Sequence, residues 1–257
     1  MRIDKPKFGV LELTGCAGEQ LVIVNCEDEL LDIIGALDIR LFRTITSDND
    51  EKGPLDIAIV EGSVVKKDDV KALKDIRERS SLLIAVGTCA VYGGIPSSHN
   101  GIPREKLLDI VYGNTPLSSH PIPAQPIKNF VRVDFSIPGC PIEKEEFLQA
   151  VASLLHGDIP PKICYPVCTE CKVRENHCLL IERGEMCLGP ITLGGCKARC
   201  PSLGISCIGC RGMVDEANIA EEAEILNQKG YSIEDIRAKV STFEYPPQEI
   251  RKILKMG

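Results

Sequence analysis

The sequence predicts an α/β protein: an open, doubly wound parallel sheet, then a small irregular cysteine-rich segment, then a helical tail. Three observations predict it. Short, nearly continuous apolar runs alternate with helical stretches over residues 1–158. Nine of the 13 cysteines crowd between Cys164 and Cys210. Helical periodicity returns only in the tail, 213–257.

The strands are predicted at 8–13, 39–42, 55–60, 82–86 and 131–137. Their near-continuous apolar character suits parallel strands covered on both faces. Residues 68–79 predict a charged helix with Val70, Leu73 and Ile76 as its apolar stripe. Residues 143–155 predict a second helix that buries Phe147, Leu148, Val151, Leu154 and Leu155. Strand and helix in alternation imply an open α/β sheet. The segment 159–212 places Gly, Pro or Cys every few residues and is predicted to lack an apolar core, so a cross-linking centre must organise it. In the tail, Ile233, Ile236, Val240 and Phe243 form a stripe behind a Ser232 cap. The domains read as 1–158 and 159–257.

Composition narrows the function. A net charge of −7 and a pI near 5.3 disfavour nucleic acid and anionic membrane as partners. No apolar run approaches the roughly 18 residues of a spanning helix, and MRIDKPKFGV has no signal-peptide core, so a cytoplasmic chain is expected. Thirteen cysteines in a reducing compartment point to metal rather than to disulfides.

Cys16 in LTGCAGE, Cys89 in VGTCAVYGG and Cys140 in IPGCPIE each follow a predicted strand. Such loops share the carboxyl edge of a parallel sheet, where ligands bind at the switch in strand order. Three thiols are one short of a four-iron cluster. Glu19, at C-x-x-E spacing from Cys16, is a candidate fourth ligand. Glu61, after the third strand, is its rival or a proton-relay carboxylate. The plainer readings make the three cysteines buried core residues and Glu19 a loop carboxylate.

The C-terminal set is more specific: Cys168-x-x-Cys171, Cys178, Cys187, Cys196, Cys200 and Cys207-x-x-Cys210. Eight thiols suffice for two four-thiolate sites. Zinc is one occupant of paired C-x-x-C motifs. Irregular spacing and the Cys200-Pro step favour iron–sulfur. His177, beside Cys178, reads as a surface residue; His99, His120 and His156 carry no role. Lys172, Arg174, Lys197 and Arg199 either offset cluster charge or are simply solvated.

LTGCAGE, IVEGSV, VGTCAVYGG, IPGCPIEKEEF, CLGPITLGGC and CIGC, in this order, resemble the small subunit of nickel–iron hydrogenases. The resemblance runs to about residue 212 and is strongest to the delta subunits of soluble archaeal sulfhydrogenases. It implies a flavodoxin-like domain followed by an iron–sulfur domain. It implies three clusters in a line, all four-iron: a proximal one on Cys16, Cys89, Cys140 and Glu19, a distal one on Cys168, Cys171, Cys178 and Cys187, and a medial one on Cys196, Cys200, Cys207 and Cys210. The family usually has Cys at the Glu19 position. A three-iron proximal cluster or Glu61 or water as the fourth ligand remain open. Cys26 and Cys164 are left over, Cys164 as an alternate ligand. The resemblance further implies a heterotetramer that oxidises dihydrogen with NADP(H) and can reduce sulfur or polysulfide. The nickel–iron site would lie on a large subunit, FAD and nucleotide on a flavin subunit, beside a further iron–sulfur subunit. The alternatives are an iron–sulfur subunit of the quinone-reductase type, which needs only the first cluster, and a zinc-stapled interaction module.

Overall fold

A computed structural model describes residues 5–26, 29, 35–113, 121–244 and 246–254; His120 lies outside them. The chain folds as two compact units, Met1–Pro160 and Pro161–Gly257.

In the first unit, β1 (Lys7–Glu12), β2 (Asp38–Leu41), β3 (Leu55–Glu61), β4 (Ser80–Val86) and β5 (Phe135–Ile137) form one sheet in the order β2-β1-β3-β4-β5. Every pairing is parallel. The period-2 alternation explains the continuous apolar runs. Along β3, Ile57 and Ile59 join a core with Phe8, Val10, Ile84, Val86 and Phe147. Ala58 and Val60 join another with Leu11, Leu83, Leu73 and Ile76. Both faces of the sheet are thus buried, which is why no polar alternation shows in the strand.

Helices α1 (Gly18–Val24), α2 (Lys67–Arg79), α3 (Gly87–Tyr92), α4 (Gly94–Ser97), α5 (Arg104–Tyr112) and α6 (Lys144–Leu155) follow or precede the strands. Leu73 and Ile76 of α2 are buried as the stripe predicts, with Val70 packed at the margin. On α6 the buried set is Phe147, Ala150 and Val151; Leu148 and Leu154 pack against it, but Leu155, expected inside, is 36% exposed. Leu155 is the last helical residue, where the stripe has rotated off the core. The fifth strand is shorter than 131–137: the Asp134 N–H donates to Leu83 O at 2.9 Å, but the returning Leu83 N–H goes to the Asp134 carboxylate, also at 2.9 Å, and that carboxylate pairs with Arg77 at 2.5 Å.

The second unit holds α7 (Val167–Val173), α8 (Leu179–Glu182), α9 (Arg199–Ser202), α10 (Ile219–Gln228), α11 (Ile233–Val240) and α12 (Gln248–Ile253). Ser232 caps α11 as expected, in a reciprocal box with Asp235. The expectation that 159–212 has no apolar core is corrected. Val167, Leu180, Leu188 and Ile191 pack with Ile219, Leu226, Ile236, Val240 and Leu254 into one buried cluster. The tail helices supply the apolar faces that the irregular segment lacks. Among the described residues no helix is long and apolar enough to cross a membrane.

Candidate functional site

The carboxyl ends of four strands stand level. Glu12 pairs with Glu61, Glu61 with Val86, and Val86 with Ile137. Cys16, Cys89 and Cys140 follow within four residues of this row, so the parallel register delivers all three to one edge. Two bonds lock two of the loops together: the Thr88 N–H donates to Gly139 O at 2.8 Å, and the Gly139 N–H donates to Thr88 Oγ1 at 3.1 Å. Cys140 is joined to Pro141 by a cis peptide. A β-carbon built on Gly18 would lie 3.3 Å from Cys16 Sγ and 3.7 Å from the Pro141 ring, which places Cys16 beside the Cys140 loop.

The three sulfurs share one electrostatic neighbourhood. Burial pushes the Cys89 thiol up to about 12, and the Glu19, Cys140 and Cys16 charges push in the same direction. Cys140 is pushed up to about 11 by burial, then by Glu19 and Cys16. Thiols this reluctant to ionise become thiolates when a cationic centre binds them.

Glu19 is not a loop carboxylate. It is the second residue of α1, 6% exposed, and its carboxylate lies against Gly87, where a β-carbon would overlap it. Burial, with the neighbouring Glu61 charge adding to it, raises its carboxyl to about 7. Glu61, 1% exposed, is raised by burial too. The Gln20 amide opposes that rise, since Gln20 Nε2 donates to Glu61 Oε1 at 2.6 Å and the Gln20 N–H to Oε2 at 3.1 Å. Thr44 in turn donates its hydroxyl to Gln20 Oε1. The anion is held on Glu61, and Glu19 faces Cys89 and Cys140. The structure therefore brings both rival carboxylates to the site, with Glu19 on its thiol side. Cys26 is apart, buried in the α1 side of the core with its thiol 3.4 Å from Val22 O.

In the second unit, Cys168 and Cys171 lie on α7, Cys178 caps α8, and Cys187 follows that helix. The Cys168 thiol is pushed up to about 12 by burial and then by Cys187, Cys171 and Cys178, which places these four together. A β-carbon on Gly189 would stand 3.3 Å from Cys168 Sγ and 3.5 Å from Cys187 Sγ, so Gly189 leaves room that a side chain would fill. Cys196 precedes α9, and Cys200 lies on it. Cys207, pushed up to about 12 chiefly by burial, feels both Cys187 and Cys210. Its N–H reaches Cys187 Sγ at 3.3 Å. The two predicted sets are thus adjacent, and the first of them is the more sharply gathered.

Cys164 is exposed near Lys162. His177 lies at the surface, paired with Glu182 at 2.9 Å. Lys172, Arg174, Lys197 and Arg199 are exposed. Among the described residues, no three His, Cys, Asp or Glu side chains stand close enough to hold a single metal ion. Sets of four cysteines are the donor type that an iron–sulfur cluster takes. A cavity of ≈ 780 Å³ lined by Lys7, Asp38, Arg40 and Asp56 lies at the opposite, amino edge of the sheet, away from the thiols.

Three residues near the thiols escaped the sequence reading. Glu170 sits inside the Cys168–Cys171 pair. Arg211, 1% exposed, donates Nε to Gly194 O at 2.6 Å, and its charge partly opposes the rise that burial imposes on the Cys196 thiol. Glu222, 3% exposed, has an Oε1 with no hydrogen-bond partner among the described residues, and its charge adds to the burial that raises Cys168 and Cys187. Its signal was legible: Ile219, Glu222 and Leu226 share one face of α10, so a carboxylate interrupts an apolar stripe.

Burial raises the Glu222 carboxyl from 4.5 to about 7. A carboxyl raised on folding contributes stability that is present below its unfolded value and lost as pH rises through 7. The difference is on the order of 3 kcal/mol. Glu222→Gln is expected to raise the unfolding midpoint at pH 8 and to leave it unchanged near pH 4. Urea titrations at the two pH values check this; an equal effect at both would refute it.

The family profile described as NADH ubiquinone oxidoreductase, 20 Kd subunit, matches residues 16–154. Sulfhydrogenase 2 subunit delta of Pyrococcus furiosus is 39% identical, over 92% of this chain and 98% of that one. A vhu-type F420-non-reducing hydrogenase subunit of Methanocaldococcus jannaschii is 32% identical over 97% of this chain and 98% of that one. A chain of an NAD+-reducing [NiFe]-hydrogenase in its H2-reduced state superposes with a TM-score of 0.56 at 29% identity, over 62% of this chain and 95% of that one. The level row of strand ends, the three thiols beyond it and this full-length similarity agree, and the chain belongs to the family formed by the 20 kDa subunit of NADH:ubiquinone oxidoreductase and the small subunits of nickel–iron hydrogenases.

Proposed function

We propose that this chain is the electron-transfer small subunit of a cytoplasmic nickel–iron hydrogenase. One observation carries the reading. The family profile ends at residue 154, whereas the sulfhydrogenase relative continues through the second unit, with 92% of this chain matched. A subunit of the quinone-reductase type has no use for eight further gathered thiols.

Cys16, Cys89, Cys140 and Glu19 hold the first iron–sulfur cluster. Cys168, Cys171, Cys178 and Cys187 hold the second, and Cys196, Cys200, Cys207 and Cys210 the third. When bound, such clusters accept and release single electrons. The chain's own contribution is physical. Cys89 and Cys140 are half-buried, the Thr88–Gly139 bonds keep their two loops in register, and the Gln20-held Glu61 leaves Glu19 facing the thiols. Cys16 is exposed, with Leu21 and Ile95 exposed nearby on α1 and α4, which suits a face covered by the large, dihydrogen-splitting subunit. The second unit faces a flavin- and NADP(H)-binding partner and a further iron–sulfur subunit.

Three four-iron clusters require about 12 iron and 12 acid-labile sulfide per chain, after subtracting the partners' share. Iron, sulfide and zinc analysis of the purified complex measures this. Stoichiometric zinc with about 4 iron would support the stapled-module alternative instead.

A further inference from the structure

The loop that carries Cys196 is unusual in its backbone. Gly195, Lys197 and Ala198 have φ values of +107°, +54° and +49°. Two of these three residues carry side chains in a region that favours glycine, so something outside the loop must hold it there. Two side chains grip it. Glu170 Oε1 accepts the Gly195 N–H at 2.7 Å, and Glu170 Oε2 accepts the Ala198 N–H at 3.0 Å. From the carbonyl side, Arg211 bonds Gly194 O, and its guanidinium fills the space where a Gly195 β-carbon would stand. Ala198 is fully buried, so its N–H has no access to water when its acceptor is lost. The same Glu170 Oε2 lies 3.8 Å from Cys196 Sγ.

We propose that Glu170, although it lies between Cys168 and Cys171, is the positioning residue for the other cysteine set, its carboxylate clamping the Gly195–Ala198 turn so that Cys196 points at its ligand position. Successive N–H groups in such a turn form an anion-binding concavity, and here the anion is a side chain of the same unit. The clamp also ties one ligand loop to the next, so the two sets cannot drift apart independently. This rests on Cys196 being a ligand, and the test separates the two claims.

The test uses the assembled complex in wild-type, Glu170→Ala, Glu170→Gln and Cys196→Ala forms, read by paramagnetic resonance, iron content and amide hydrogen exchange. In Glu170→Ala, exchange of the 194–199 backbone should accelerate at least about 10-fold, because two amide bonds lose their acceptor. The spectrum should lose the same component that Cys196→Ala loses, while the component that depends on Cys178 persists. Glu170→Gln keeps one acceptor oxygen and removes the charge. It should retain that component with its midpoint potential shifted positive, since a negative charge near the sulfur no longer opposes reduction. Unchanged exchange at 194–199 in Glu170→Ala overturns the proposal, as does loss of the Cys178-dependent component instead. A Cys196→Ala spectrum identical to wild type refutes the ligand reading alone, and the exchange measurement still decides the clamp.

Discussion

Glu19→Gln is expected to strip the first cluster site of the oxygen ligand proposed for it. A neutral amide is a poorer ligand than a carboxylate, so the complex should lose iron from that site and oxidise dihydrogen at least about 10-fold more slowly. The signals that depend on Cys168 to Cys210 should not change, because their ligands belong to the other unit. Glu19→Cys should restore four-iron occupancy with an all-thiolate set. Because burial raises the unliganded Glu19 carboxyl to about 7, iron must displace a proton from it. Occupancy of the wild-type site should therefore weaken as pH falls below 7, and this dependence should be smaller in Glu19→Gln. Glu61→Gln is the comparison: it removes one of the two oxygens that accept from Gln20, together with the Glu61 charge, and leaves the Glu19 carboxyl in the chain. A first-cluster spectrum unchanged in Glu19→Gln but altered in Glu61→Gln would transfer the ligand role to Glu61.

Gly87→Ala should be nearly as damaging without replacing a ligand. Gly87 has φ +83°, and a β-carbon there would overlap the Glu19 carboxylate. The left-handed backbone and the displaced carboxyl together cost about 2–4 kcal/mol. Gly87 opens α3, two residues before Cys89, so relief by backbone movement shifts that thiol as well. A lowered melting temperature together with a lost or broadened first-cluster signal is expected. A variant that melts and titrates like wild type would show that the Gly87 loop tolerates the extra carbon and that Glu19 is not held there.

Much of the fold was legible because its signals are local. Five apolar runs became five strands, and the α2 stripe and the Ser232 cap fell where periodicity put them. The misreadings came where local pattern is weak. Residues 131–134 look strand-like, but Asp134 spends its carboxylate on Leu83 and Arg77. The irregular segment looked coreless because its apolar residues are widely spaced, and their partners arrive from the tail helices, far along the chain.

The candidate site divides in the same way. Cysteine type and spacing, with the resemblance they carry, are properties of the chain, and they nominated the thiols, Glu19 and Glu61 without any coordinates. Electrostatic roles are not local properties. That Glu19 is buried against Gly87 while Glu61 is held by Gln20 depends on α1 crossing the ends of β3 and β4. That Glu170 bonds a turn 25 residues away, and that the charge of Arg211, from 15 residues further along, acts on Cys196, depends on chain paths no spacing rule encodes. By itself the sequence determined which atoms can bind metal and that a parallel sheet would carry three of them to one edge. Only the tertiary structure decided which carboxylates and which guanidinium face those atoms, because burial and charge proximity arise from distant segments packing together.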